Sequence, residues 1–329
     1  MADRRIHEDL VLNGPDADPS SWSSLTVAEA RDRSRRLAFS HRENFSVLTR
    51  LVPADVRDDF AAVYAFCRTA DDLGDEIGDP VRSLELLAWW RSEVEAAWEG
   101  APRHWVFRAL QPTIERFDLE PEPFLELISA FEQDQTVTRY ESWDQLLGYC
   151  RRSADPVGRL VLKLLEEPGT PAQLERSDAI CTALQLTNHW QDLRRDLLDR
   201  DRIYIPAEMI AIDDFERRFR VTAEQGWAVD GTFLEESRQL IRACVDRTWP
   251  LYNAGAELPG LLGPRAAPVI EVLGGGGASV LRRIEDWDYE TMLHRPRIGP
   301  VGKLIILAKA WLTTRSSRST DSARMEVAR

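Results

Sequence analysis

The amino-acid sequence predicts an all-α fold. Three observations carry that expectation: long stretches with apolar residues at helical spacing, no alternating series of strand-like segments, and neither a G-x-G-x-x-G nor a G-x-x-x-x-G-K turn. The last two count against doubly wound and P-loop architectures. With 329 residues the chain can bury a sizeable core, as one large domain or two modest ones.

The elements follow in order. Residues 1–26 are polar and weakly patterned and read as a disordered tail, and the first patterned stretch is 27–40. The next, 54–77, is apolar through Val63, Tyr64, Phe66 and Cys67 and closes on an acidic end before Pro80. Residues 81–99 form a third helix bounded by Pro80 and Pro102. Past Pro112 the pattern resumes at 121–137 and 142–149, then at 156–166 up to Pro168, at 171–200 from Pro171, and at 234–256. Segment 257–280 holds Pro259, Gly263, Pro264, Pro268 and the run Gly274 to Gly277. It is the least regular part and reads as a linker, a bent helix connection or a reshaped loop. VGKLIILAKAWL at 301–312 is apolar but interrupted by Lys303 and Lys309, so it reads as a packed amphipathic helix, with a membrane-facing surface as the alternative. Residues 314–329 read as a second disordered tail. No signal peptide or spanning helix is expected, because no apolar run reaches the necessary length.

Charge narrows the function. The 55 acidic against 42 basic residues give a net charge of -13, which repels nucleic acid and equally any free anion. An anionic substrate therefore requires arginines or divalent cations gathered at one place. The four cysteines are widely spaced with no C-x-x-C pair, which fits a reduced, cytoplasmic setting.

Two acidic patches supply such a place. In AVYAFCRTADDLGDE, Asp71 and Asp75 stand four apart, and Asp72 and Glu76 form a second such pair beside them. Like charges at this spacing weaken a helix by a few tenths of a kcal/mol per pair, so a bound cation is one explanation and a solvated acidic stripe the other. In TALQLTNHWQDLRRDLLDRDRIYIP, residues Gln185, Asn188, Asp192 and Asp196 recur at intervals of three or four on one helix side. Oxygen donors of this kind suit Mg²⁺, and no Cys/His cluster suggests zinc. Donors that could complete a diphosphate site are His41, Arg42 and Asn44 in SHRENF, then Arg68, Arg139, Arg152 and Arg202, since guanidinium forks match phosphate oxygens. Taken singly, each arginine is more often a surface or snorkelling side chain.

These residues resemble the squalene and phytoene synthase family of head-to-head prenyl synthases. The resemblance covers roughly 37–313. Its first aspartate-rich motif matches Asp71, Asp72, Asp75 and Glu76 behind Arg68, and its second matches Gln185, Asn188, Asp192 and Asp196 followed by DRIYIP. HRENFSVLTR, AFEQDQTVTRY and YCRRSADPVGRLVLKL look like the branch of bacterial hopanoid pathways that forms hydroxysqualene.

The resemblance implies an isoprenoid-synthase helical bundle around a central cavity, as a single domain over 27–313. It implies two or three Mg²⁺ ions held by Asp71, Asp75, Asn188, Asp192 and Asp196, with Asp72 and Glu76 in support. Gln185 would join the arginines at the diphosphate, Tyr289 would shape the pocket, and Arg295 just beyond it is a candidate phosphate contact. Relatives that carry out the whole condensation of two prenyl diphosphates hold a tyrosine at the position of Arg152. An arginine stays charged and cannot replace a neutral hydroxyl. The resemblance then implies presqualene diphosphate as substrate, water as the terminating nucleophile and hydroxysqualene as product, with no NAD(P)H. The alternative is a squalene, dehydrosqualene or phytoene synthase performing the full condensation, and a non-catalytic helical interaction protein is a remote third. Other enzymes of the hopanoid pathway, and the inner membrane face for peripheral contact, are the implied partners. His41 is a candidate water-activating base, whereas His189, one position from Asn188, points elsewhere.

Overall fold

A computed structural model describes residues 4–18, 25–40, 51–227, 230–297 and 299. The expectations for 301–312 and 314–329 lie outside the described residues. Twelve α-helices occur among the described residues, and the only β pairing there is an isolated parallel bridge between Arg139 and Ile203. The chain divides into two compact units, Met1–Val137 with Pro156–Pro168, and Thr138–Asp155 with Gly169–Arg329.

The first unit contains α1 (Arg4–Asn13), α2 (Val27–Ser40), α3 (Arg57–Asp75), α4 (Pro80–Trp98), α5 (Trp105–Phe117), α6 (Glu122–Gln133) and most of α8 (Asp155–Leu164). At its centre α3 packs on α2, α4, α5 and α6. Phe66 on α3 meets Phe124 edge-on at 4.9 Å between centroids and Phe107 at 5.8 Å, while Trp90 lies 4.7 Å from Phe107. All four rings are fully buried, at roughly 1.5–3 kcal/mol each. Asp59, also buried, receives hydrogen bonds from Arg31 (2.8 Å), Thr113 (2.7 Å) and Arg116 (2.9 Å), which balance a charge withdrawn from water.

Local chemistry sets several ends. Asp79 caps α4 through Val81 N (3.0 Å), with Pro80 in the first turn where its missing N–H costs nothing. Two helices here contradict the sequence pattern. Residues 4–13, expected in a disordered tail, form α1, whose Ile6 is buried and whose Asp9 accepts from Trp105 (3.0 Å). α5 runs through Pro112, expected as a breaker. A proline inside a helix costs about 3 kcal/mol, and burial of Trp105, Val106, Phe107, Leu110, Ile114 and Phe117 outweighs it.

The second unit contains α7 (Trp143–Ser153), α9 (Pro171–Arg200), α10 (Phe215–Gln225), α11 (Gly231–Gly255) and α12 (Ala267–Asp286). The 30-residue α9 packs on all the others and starts in a capping box in which Thr170 and Gln173 satisfy each other's backbone N–H. Trp190 Nε1 donates to Thr248 on α11 (2.9 Å), and the Thr187 and Tyr252 hydroxyls meet at 3.0 Å. The glycine run, in a segment read as a linker, a bent helix connection or a reshaped loop, lies inside α12. A Cβ at Gly277 would fall on Leu184 and the Tyr252 hydroxyl, whereas Gly275 and Gly276 have nothing within 4 Å. The run thus permits close packing of α12 on α9, which local pattern alone does not reveal.

Candidate active site

The first acidic patch ends α3. Asp72 is buried, Asp71, Asp75 and Glu76 are half-buried, and the Glu76 N–H closes the helix on Asp72 O (3.0 Å). Arg68, one turn earlier, donates to Asp72 and lies 3.3 Å from Asp71. Burial works against the Arg68 charge, but Asp71 and Asp72 more than compensate and raise its pKa above the ordinary arginine value. The guanidinium relieves the like-charge repulsion that the spacing creates.

The second patch lies along α9, where Gln185, Asp192 and Asp196 are half-buried and Asn188 is exposed. Arg295 grips Asp192 with both sides of its fork, Nε to Oδ1 and Nη2 to Oδ2 (2.9 Å). Arg195 stands 3.9 Å from the same carboxylate, and Arg200 stands 3.7 Å from Asp196. Asp192 and Arg295 line a cavity of about 250 Å³ with Arg194, Arg195, Thr291 and His294.

Among the described residues no group of three or more His, Cys, Asp or Glu side chains is placed to hold a metal ion. Each patch comes from a single helix, and arginines engage Asp71 and Asp72 in the first and Asp192 in the second. The donor chemistry of each patch still fits Mg²⁺: Asp71 and Asp75 in the first, and Asp192 and Asp196 in the second, offer hard oxygen atoms.

The expected phosphate donors separate into several environments. His41, Arg42 and Asn44 lie outside the described residues. Arg139 contacts Glu216 (3.2 Å) and Asp201 (3.2 Å), next to the short pairing in which Ile203 N donates to Thr138 O (2.9 Å). Arg202 is buried, and its backbone N donates to Asp196 O (3.0 Å) at the end of α9. Arg152 is half-buried in the last turn of α7, an end that favours a cation. Tyr289 is half-buried and takes a left-handed backbone with φ 61°, directly after Asp288 at φ 53°.

Sequence reasoning missed Gln191, whose Nε2 donates to Pro296 O, and Thr291. It also missed the surroundings of His189. That ring stacks on Tyr204 at 3.7 Å, with Tyr149 at 5.9 Å, and its Nε2 has no hydrogen-bond partner among the described residues. Burial, assisted by Arg202, pushes the His189 pKa down to about 3, so the ring is neutral at working pH. The unfolded chain takes up this proton near pH 6.5 and the folded chain only near 3. Stability is then complete above pH 6.5 and falls with acid, by about 2 kcal/mol between pH 6.5 and 5. Urea unfolding is expected to show His189→Phe losing less stability than the parent over that interval, by about this amount.

An all-α fold with two acidic helix faces defines the class, and the comparisons agree: the chain belongs to the squalene/phytoene synthase family, whose pattern matches residues 40–301. The fold is the helical bundle of isoprenoid synthases, and this kinship supports enzymatic activity of the prenyl-diphosphate synthase kind. The chain is 39% identical over 175 residues to a hydroxysqualene synthase from Rhodopseudomonas palustris, an alignment covering 52% of this chain and 58% of that protein. It thus spans little more than half the length of that curated relative. A 15-cis-phytoene synthase from Synechocystis is 26% identical over 325 residues, covering 92% of this chain and 90% of its own. Among solved structures, a squalene synthase HpnC from Alicyclobacillus acidocaldarius is 39% identical with a TM-score of 0.69, covering 80% of this chain and 96% of that one.

Proposed function

We propose that the chain is a Mg²⁺-dependent head-to-head prenyl synthase that joins two molecules of farnesyl diphosphate, releases both diphosphates and ends the resulting C30 cation by loss of a proton. The supporting observation is the acidic face of α9, Gln185, Asn188, Asp192 and Asp196, in a chain whose likeness to synthases extends over 80% and 92% of its length. Magnesium, when bound, neutralises the diphosphate and favours its departure. Asp71 and Asp75 of the first patch, and Asp192 and Asp196 of the second with Asn188 as a neutral donor, would hold that charge. Asp72 and Glu76 support the first patch. Arg68, Arg139, Arg202 and Gln185 orient the phosphate oxygens, as do His41, Arg42 and Asn44. Apolar helix faces keep water from the carbocation formed when the C–O bond breaks and its electron pair leaves with diphosphate.

One residue favours a second reading. Arg152 is permanently charged where a condensing enzyme needs a neutral hydroxyl. On that reading the chain starts from presqualene diphosphate: the cyclopropylcarbinyl cation rearranges, water adds, a proton is lost, and hydroxysqualene and diphosphate are released without NAD(P)H. The curated hydroxysqualene synthase relative supports it over half of the chain. Its partners would be the hopanoid-pathway enzymes that supply presqualene diphosphate and consume hydroxysqualene, at the cytoplasmic membrane face.

The full-length protein with Mg²⁺, given farnesyl diphosphate and presqualene diphosphate separately, distinguishes the two by product analysis. A C30 product from farnesyl diphosphate alone supports the condensing reading. Turnover of presqualene diphosphate only, giving hydroxysqualene, overturns it in favour of the second.

A further inference from the structure

The segment after α12 is tied to two successive residues of α9. Gln191 Nε2 donates to Pro296 O, and Arg295 holds both oxygens of Asp192. The chain enters this segment through two left-handed residues, Asp288 and Tyr289, and for a tyrosine that backbone is strained. Behind them Glu290 anchors the segment to Arg238 and lies 3.1 Å from His294. Thr291 is buried at 1% exposure, lines the cavity at Asp192, and its Oγ1 has no hydrogen-bond partner among the described residues. A buried hydroxyl left unmatched and a strained entry mark an arrangement that a small movement can relieve.

We propose that Arg295 is an exchangeable counter-ion for the second acidic patch: its guanidinium neutralises Asp192 and competes with a divalent cation for the same carboxylate oxygens. The inference rests on the reading that Asp192 is a metal ligand. A bidentate guanidinium uses both oxygens of the carboxylate, so a hard cation and Arg295 compete directly for the same lone pairs. Arg195, at 3.9 Å, lies beyond hydrogen-bonding distance and does not substitute for that grip. Displacement frees the Arg295 fork at the site where an anionic substrate arrives with its cation. At Asp192 the two-pronged grip couples the two events, so that arginine release and cation binding occur together.

The test needs no turnover. Mn²⁺, followed by the paramagnetic resonance signal of the free ion, is titrated into the full-length protein without substrate, alongside Arg295→Gln and Arg295→Lys. Removing an exposed ion-pair partner is worth about a three- to fivefold change in affinity. Arg295→Gln is therefore expected to bind Mn²⁺ about that much more tightly, Arg295→Lys to fall between it and the parent, and the gain to vanish in the Asp192→Asn, Arg295→Gln double variant. Addition of Mg²⁺ to the parent is also expected to increase deuterium uptake over 293–297. Equal or weaker Mn²⁺ binding by a folded Arg295→Gln protein overturns the exchange while leaving the metal site intact. No Mn²⁺ binding by parent or variants overturns both the exchange and the metal reading on which it rests.

Discussion

Replacing Asp192 by asparagine is expected to lower the rate of diphosphate release by a factor on the order of 10²–10³ while leaving the helical content unchanged. The change removes one negative charge and keeps the shape, so the loss reads the carboxylate rather than packing. Structure argues that the fold tolerates it. The Asp192 side chain is 16% exposed and that of Arg295 35%, and ion pairs this close to solvent contribute no more than about 1 kcal/mol. The measurement is diphosphate release under saturating Mg²⁺, with circular dichroism as the control. An Asp192→Asn protein with full activity would remove this carboxylate from the site.

The second large effect concerns stability. Gly277→Val is expected to destabilise the fold by about 2–3 kcal/mol in urea unfolding, because the new side chain must displace Leu184 and the Tyr252 hydroxyl. Tyr252 meets Thr187 on α9, so the strain reaches the helix that carries the acidic face. Gly276→Ala gives the opposite sign. Nothing lies within 4 Å of a Cβ there, and exchanging glycine for alanine inside a helix stabilises by about 0.5–1 kcal/mol. Comparable losses from both substitutions would contradict the packing account of the glycine run.

The same glycines show where local pattern stops being informative. Helical spacing alone places Gln185, Asn188, Asp192 and Asp196 on one side of a helix over 171–200, and α9 spans Pro171–Arg200. The acidic end of α3 is equally legible, since apolar turns lead directly to Asp71 and Asp75. Glycine and proline statistics describe an isolated chain, however, and tertiary burial reverses them. α5 continues through Pro112 because one face is sealed against α2, α3 and α4, and α12 contains Gly277 because α9 and α11 approach it closely.

The engagement of the arginines was not legible at all. Arg139 is bound up with Asp201 and Glu216, the latter 77 residues away, and Arg295 reaches Asp192 across 103 residues. Spacing identifies which residue types could hold a diphosphate. Only the fold shows which carboxylate each guanidinium holds in the meantime. His189 illustrates the converse: its neighbour Asn188 belongs to the acidic face, while the imidazole itself is turned into a stack with Tyr204 and kept neutral by burial.

Both readings of the reaction pass through loss of diphosphate from presqualene diphosphate, which makes that step the direct test. The full-length protein is incubated with presqualene diphosphate at rising Mg²⁺ concentration, and released diphosphate and C30 product are quantified with and without EDTA. Release is expected to rise with Mg²⁺, to disappear with EDTA, and to be matched mole for mole by a C30 product. Absence of release at every Mg²⁺ concentration, or release undiminished by EDTA, would contradict this expectation.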